Sequence, residues 1–213
     1  MKTIARNPNP PGCLSHQPAH QDWQLFIRTQ CYSAVSESLH REQQYLCSYC
    51  ELQIADGNSH VEHMEPRSLN PGRTYEYDNL TASCNGGSAE HCGHFKDNRG
   101  RNPNCGYDTT KFCSPHNPAT SRLFLYLANG EVGVVPGLLQ IDTEKANYMI
   151  GNLGLNCPRL KGRRRAHARD LINTLGPDPR DDLWQWMEQY YLQPDGDNLL
   201  KQFYSLSKAI LKP

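Results

Sequence analysis

No stretch of the 213-residue chain approaches the roughly 18 consecutive apolar residues of a membrane span, so no membrane protein is expected. The opening residues, MKTIARNPNPPGCLSHQPAH, also lack the apolar centre of a secretory signal, which predicts a cytoplasmic location. Net charge is missing as well: Lys plus Arg and Asp plus Glu balance at 22 each, so the totals make no case for a nucleic-acid partner. Apolar residues make up only 37% of the chain, which implies a polar, loop-rich molecule. No internal repeat, low-complexity tract or linker is visible. That leaves one domain of ordinary size, or a small core with helical flanks.

Cysteine, by contrast, is plentiful, with nine in total. The count is odd, no export signal precedes them, and cytosolic thiols stay reduced, so metal ligation rather than disulfide bonding is expected for the clustered ones. The cluster runs from Cys47 to Asn98. Cys47 and Cys50 open it in CSYCE, Glu62 and His63 follow in HVEHMEP, Asn79 sits in YDNLTASC, and Cys84, Cys92, His94 and Asn98 close it. Outside it, Cys31 reads as a small buried apolar side chain in a helix, and Cys105, Cys113 and His116 as packed or idle, with a second zinc loop as the competing reading.

Residues 1–20, with four prolines and no apolar period, read as an extended arm. Asp22 suits the cap of one or two helices over 22–45, where Trp23, Phe26 and Ile27 recur at helical spacing. Residues 51–54 and 59–64 read as two strands, or a strand and a loop, around a turn at Asp56-Gly57. A loop over 67–78 then leads to a short strand over 80–83. Ser88 and Glu90 suit the start of a helix running to Gly100. Asn129-Gly130, between 123–127 and 131–135, is the strongest hairpin signal in the chain. Helices are predicted over 142–153, 158–175, 181–192 and 199–211, the second closed by Gly176-Pro177. That second helix is basic: Arg159, Lys161, Arg163, Arg164, Arg165 and Arg169 have one acidic neighbour, Asp170. Arg163, Arg164 and Arg165 are therefore candidate contacts to a nucleic-acid backbone, with a merely solvated helix face as the competing reading.

Two Cys separated by two residues bring both thiolates to one tetrahedral zinc from a tight turn, but they supply half the ligands. Cys84 and Cys92 can supply the rest, although the intervening NGGSAEH is a wide spacing. A short finger built from Cys47, Cys50, His60 and His63 is the competing set, and it strands Cys84 and Cys92. Glu62-His63 is where catalysis can enter, with a carboxylate for a hard divalent cation and a neutral imidazole that takes a water proton near pH 7. Asn79 can hold the ring's orientation through a hydrogen bond. His94 and Asn98, four apart on the predicted helix, share a face and can reach the same ion. One cation held by Glu62 and this helix face would stabilise the charge that develops at a phosphodiester.

The segments CSYCE, HVEHMEPRS, YEYDNLTASCN and HCGHFKDNRG resemble the ββα-metal core of HNH endonucleases, and more narrowly the PtuB-type nucleases of Septu and retron anti-phage defence systems. TKFCSPHNPATSRLFLYLANGEV and NLGLNCPRLKGRRR resemble the continuation of that family, so the likeness covers residues 45–170. Carried over, it implies His63 as general base, Glu62 as a metal ligand where many relatives have Asp, and Asn79 as the middle Asn. His94 is displaced from the expected Cys-His by Gly93, and Asn98 stands where other branches have a metal-binding Asn. The expected fold is α+β. It has a small zinc-stapled ββα-metal core over 45–121, an N-terminal arm and helices over 1–44, and one further β-hairpin with C-terminal helices over 122–213, packed as one unit. The resemblance implies Mg2+ or Mn2+ at the catalytic site beside Zn2+ on Cys47, Cys50, Cys84 and Cys92. It also implies a nucleic-acid substrate, DNA by default with RNA such as tRNA open. The partner it implies is a PtuA-type ATPase, joined in a retron by the reverse transcriptase with its RNA–DNA product. The alternative is a zinc-stabilised adaptor that binds nucleic acid or a partner without cutting.

Overall fold

Asp22 starts the first helix: its carboxylate accepts from the Gln24 amide at 2.9 Å and caps α1 (Trp23–Phe26). Thr29 caps α2 (Gln30–Glu42) in the same way, accepting from the Tyr32 amide. The computed structural model describes residues 1–17, 22–103 and 105–212. The arm expected over 1–20 therefore lies outside the described residues at 18–20, and its described part is anchored by the buried Met1, Ile4 and Leu14. Cys13 in this arm is joined by a disulfide to Cys31 in the first turn of α2. The expectation of reduced thiols, with Cys31 a plain apolar side chain, is wrong at this pair. An odd count forbids a complete set of bridges but leaves room for one.

After α2 the chain turns through Cys47–Cys50, with Glu51 in the left-handed region at φ 62°. Only an isolated bridge between Leu46 and Gln53 forms at 51–54, so the strand-and-loop option is the one realised. Gly57, at φ 85°, leads into β1 (Ser59–His63), which pairs antiparallel with β2 (Leu80–Cys84) so that Glu62 lies opposite Thr81 and His63 opposite Leu80. The loop between these strands carries short 3-10 turns at Pro71–Arg73 and Tyr77–Asn79.

The helix predicted from Ser88 to Gly100 is broken. α3 (Gly86–Ala89) is a single distorted turn, and α4 (Cys92–Lys96) has only five residues. Gly86, Gly87, Ser88, Ala89 and Cys92 all have positive φ. The cause is Cys92, whose amide is held by the Leu153 carbonyl at 2.8 Å and whose sulfur is drawn to within 3.7 Å of Cys47. A continuous helix through NGGSAEH cannot deliver that sulfur.

The second antiparallel hairpin, β3 (Phe124–Tyr126) with β4 (Val132–Val134), turns at Gly130. Gly130 has φ 89°, and a Cβ there would collide with the Lys161 carbonyl, so the turn needs glycine twice over. α5 (Gln140–Asn152) starts slightly before Asp142, while α6 (Pro158–Leu175) and α7 (Asp181–Leu192) have the predicted bounds. α8 (Tyr204–Leu211) begins later than Leu199, because Phe203 is left-handed and its amide is taken by the Glu51 carbonyl. One apolar cluster joins the arm, both hairpins, α5, α6 and α8, and a smaller one joins α6, α7 and α8 through Leu171, Leu175, Met187, Leu192 and Leu211. Among the described residues no helix is long and apolar enough to cross a membrane.

Candidate zinc clamp and catalytic cleft

Cys47 and Cys50 come from the turn after α2, Cys84 from the end of β2, and Cys92 from the start of α4. Their four sulfurs lie within 4.8 Å of one another and all are buried. Cys47 and Cys92 are 3.7 Å apart, and Cys50 and Cys84 are 3.6 Å apart. Zn–S bonds of about 2.3 Å in a tetrahedron place sulfurs about 3.8 Å from each other, so the spacing fits zinc. None of the four is in a disulfide. Hydrogen bonds from Cys47 and Cys50 pull the Cys84 thiol far down, while burial pushes Cys50 and Cys92 up. A buried sulfur set of this kind is stabilised by a thiophilic cation. The competing finger set fails, because His60 and His63 face other partners. His91, which the sequence reading passed over, lies 3.2 Å from the Cys92 sulfur through Nδ1.

The second site sits in a cleft of about 1350 Å³ lined by His60, Glu62, His63, His94, Asp97 and Asn98, among others. His60 and Glu62 share one face of β1 by strand alternation. The Glu62 side chain is 6% exposed, with Oε1 3.2 Å from Lys96 Nζ and Oε2 3.4 Å from His60 Nε2. Burial opposes its ionisation, but Lys96 and His60 outweigh this and hold it at about 2. Lys96 also donates to Asp97 Oδ1 at 2.7 Å and to the His63 carbonyl at 3.2 Å. Burial alone would lower the Lys96 pKa, and the two carboxylates raise it instead. Beyond these ion-pair contacts, Glu62 Oε1 and His60 Nε2 are buried and have no hydrogen-bond partner. Gly93 leaves open the space that a Cβ would fill against both side chains. A buried carboxylate, an unpaired imidazole nitrogen and room beside them fit a hard divalent cation.

His63 lies at the end of β1, where its Nε2 is 3.0 Å from the Thr74 carbonyl. A carbonyl only accepts, so Nε2 carries the hydrogen and Nδ1 is the basic nitrogen of the neutral ring. Trp23 packs edge-on against the ring at 4.4 Å. Burial pushes the His63 pKa down to about 4, so the ring is neutral at pH 7. Asn79 does not touch it. Its Oδ1 accepts from the Glu65 amide at 2.8 Å, and its Nδ2 donates to the Glu65 and Arg73 carbonyls. The direct hold on the ring expected of Asn79 belongs to Thr74, and Asn79 fixes the loop that carries Thr74.

His94 stacks on His60 with centroids 3.9 Å apart and planes 4° apart. Asn98 lies beyond the end of α4, its Oδ1 accepting from the Gly100 amide at 3.0 Å, so the two do not share a helix face as expected. In the basic helix, Arg164 is 1% exposed and donates to the Gly130 carbonyl at 2.5 Å and to the Leu155 carbonyl. Its expected role in binding nucleic acid is corrected: it fastens the β3–β4 turn to α6. Arg163 and Arg165 are exposed. His60 could have been found from its place two residues before Glu62 on one strand face. Lys96, Trp23 and Thr74 carry no such local signal.

The sequence model of the HNH endonuclease family matches residues 47–86, the segment that contains Cys47, Cys50, Glu62, His63, Asn79 and Cys84. Over that segment the chain is thus similar to the HNH domain of endonucleases. It is also similar to a candidate HNH endonuclease of retron Vc95 from Vibrio cholerae serotype O1 biovar El Tor, with 27% identity over 147 residues. The alignment covers 66% of this chain and 66% of that relative's length.

Proposed function

We propose that the protein is a divalent-metal-dependent endonuclease that hydrolyses phosphodiester bonds on a zinc-stapled ββα-metal core, leaving 5′ phosphate and 3′ hydroxyl ends. The observation that carries this reading is His63: a neutral ring, tautomer fixed by Thr74, in one cleft with the buried Glu62. Nδ1 of His63 takes the proton of the attacking water while the Thr74 carbonyl holds the Nε2 hydrogen and the ring plane. Asn79 positions that carbonyl through the loop. Glu62 holds the cation, Mg2+ or Mn2+, with His94 and Asn98 at the same cleft wall. An ion bound there would supply stabilisation of charge on the phosphate and on the leaving oxygen. Arg67 and Arg99 line the cleft, and with the exposed Arg163 and Arg165 they offer contacts to the backbone phosphates.

The nuclease core is assigned to 45–121, with 1–44 and 122–213 packed on it as one unit, in keeping with the apolar cluster they share. DNA is the default substrate and structured RNA such as tRNA the second. The retron named for the relative, together with the sequence resemblance, supports a role as effector of an anti-phage defence system with a PtuA-type ATPase. In a retron setting the reverse transcriptase and its RNA–DNA product join the complex. Such a nuclease is restrained until triggered, so the isolated chain cuts weakly. Incubation with DNA and RNA panels, Mg2+ or Mn2+, and the products of neighbouring genes tests the reading. Metal-dependent cleavage supports it, and its absence under every condition overturns it.

One observation favours the adaptor reading: Lys96 already neutralises Glu62 without a metal ion. Calorimetry that detects no Mg2+ or Mn2+ binding, combined with no cleavage beside every neighbour, would select it.

A further inference from the structure

α4 approaches the His60 and Glu62 face of β1 with bare backbone. A Cβ at Gly93 would collide with Glu62 Oε2 and lie 2.9 Å from His60 Nε2. Residue 93 therefore cannot supply a side chain to that spot, and the imidazole there comes from the opposite side, from β1. Asn85 Nδ2 donates to the Gly57 carbonyl, which turns its Oδ1 towards His60 Nδ1 at 3.1 Å. Because Oδ1 accepts, Nδ1 carries the hydrogen and Nε2 of the neutral ring is a lone pair. That lone pair faces Glu62 Oε2 at 3.4 Å with no hydrogen bond between them. Without metal a proton on Nε2 joins the two atoms, as the raised His60 pKa beside Glu62 favours, and a divalent cation can take that proton's place. The other Glu62 oxygen is paired with Lys96, which turns Oε2 towards His60, and the stacked His94 ring fixes the plane of His60.

We propose that His60 Nε2 and Glu62 Oε2 are paired ligands of the catalytic divalent cation, so that the imidazole ligand comes from β1 rather than from α4. This rests on the metal-dependent nuclease reading above. Lys96 and His94 are positioning residues for the pair.

Mn2+ titration of the full zinc-loaded chain, followed by electron paramagnetic resonance with detection of 14N coupling, tests it without relying on cleavage. Bound Mn2+ in the unaltered protein is expected to show imidazole coupling. His60→Ala and the bulkier His60→Gln should remove that coupling and weaken Mn2+ binding about tenfold or more, with zinc content and melting temperature retained. Gly93→Ala should block Mn2+ by filling the space between the ligands. Coupling and affinity kept in both His60 variants but lost in His94→Ala would overturn the proposal and leave the nuclease reading intact, as would Mn2+ bound without any imidazole coupling. Neither Mn2+ binding nor cleavage by the unaltered chain would remove both.

Discussion

At His63, burial and one carbonyl set the chemistry. The ring is held neutral with a pKa of about 4, and the Thr74 carbonyl leaves Nδ1 as its base. A rate profile at constant metal should therefore stay flat downwards from pH 8 and fall only towards pH 4, rather than near the ordinary imidazole value of about 6.5. The stability linkage has the same origin. In the unfolded chain His63 takes up its proton near the ordinary value, whereas in the folded chain it does so only near 4. Stability from the buried neutral ring is thus fully present above about pH 6.5 and is lost as pH falls towards 4. His116, also held by burial at about 4, adds in the same direction. Thermal melts across this window should show a shallower loss for His63→Ala than for the unaltered protein. Glu62 and His63 were legible in the sequence because they are neighbours in one motif. Thr74 and Lys96 were not, because they reach the site through a loop and a helix whose paths no local pattern specifies.

The elements show the same division. α6 and α7 have the predicted bounds, since Pro158 and Gly176 mark the ends of α6 and the apolar stripe of α7 is regular. The stretch after β2 could not be read, because the cysteine cluster imposes left-handed residues that override helical preference. Chelation of zinc, or Cys84→Ser, should cost on the order of several kcal/mol by releasing β2 and α4 from the Cys47–Cys50 turn, measured by denaturant unfolding with and without zinc. Arg164 was misread because a run of arginines looks alike in sequence, while the helix buries one position and exposes its neighbours. Arg164→Ala should cost about 3 kcal/mol in the same measurement, since two carbonyls lose a charged donor. Arg163→Ala and Arg165→Ala should leave stability unchanged and lower the salt dependence of nucleic-acid binding.

Across the whole molecule, one apolar cluster ties the arm and the C-terminal helices to the strands that carry the site. This explains how a five-residue α4 can hold a buried Lys96 against Glu62: the rigidity comes from the four-cysteine cluster and the helices behind it. The exposed stack of Trp186 on Tyr190 lies on α7, outside the cleft. The central claim is hydrolysis of nucleic acid by the cleft with His63 as base. The most direct measurement is end-mapping of DNA and RNA incubated with Mn2+, the chain and its genomic neighbours, comparing the unaltered protein with His63→Ala. The account predicts new 5′ phosphate ends with the unaltered chain and at least a hundredfold fewer with the variant, at equal zinc content and melting temperature. Equal numbers of ends from both proteins would contradict it.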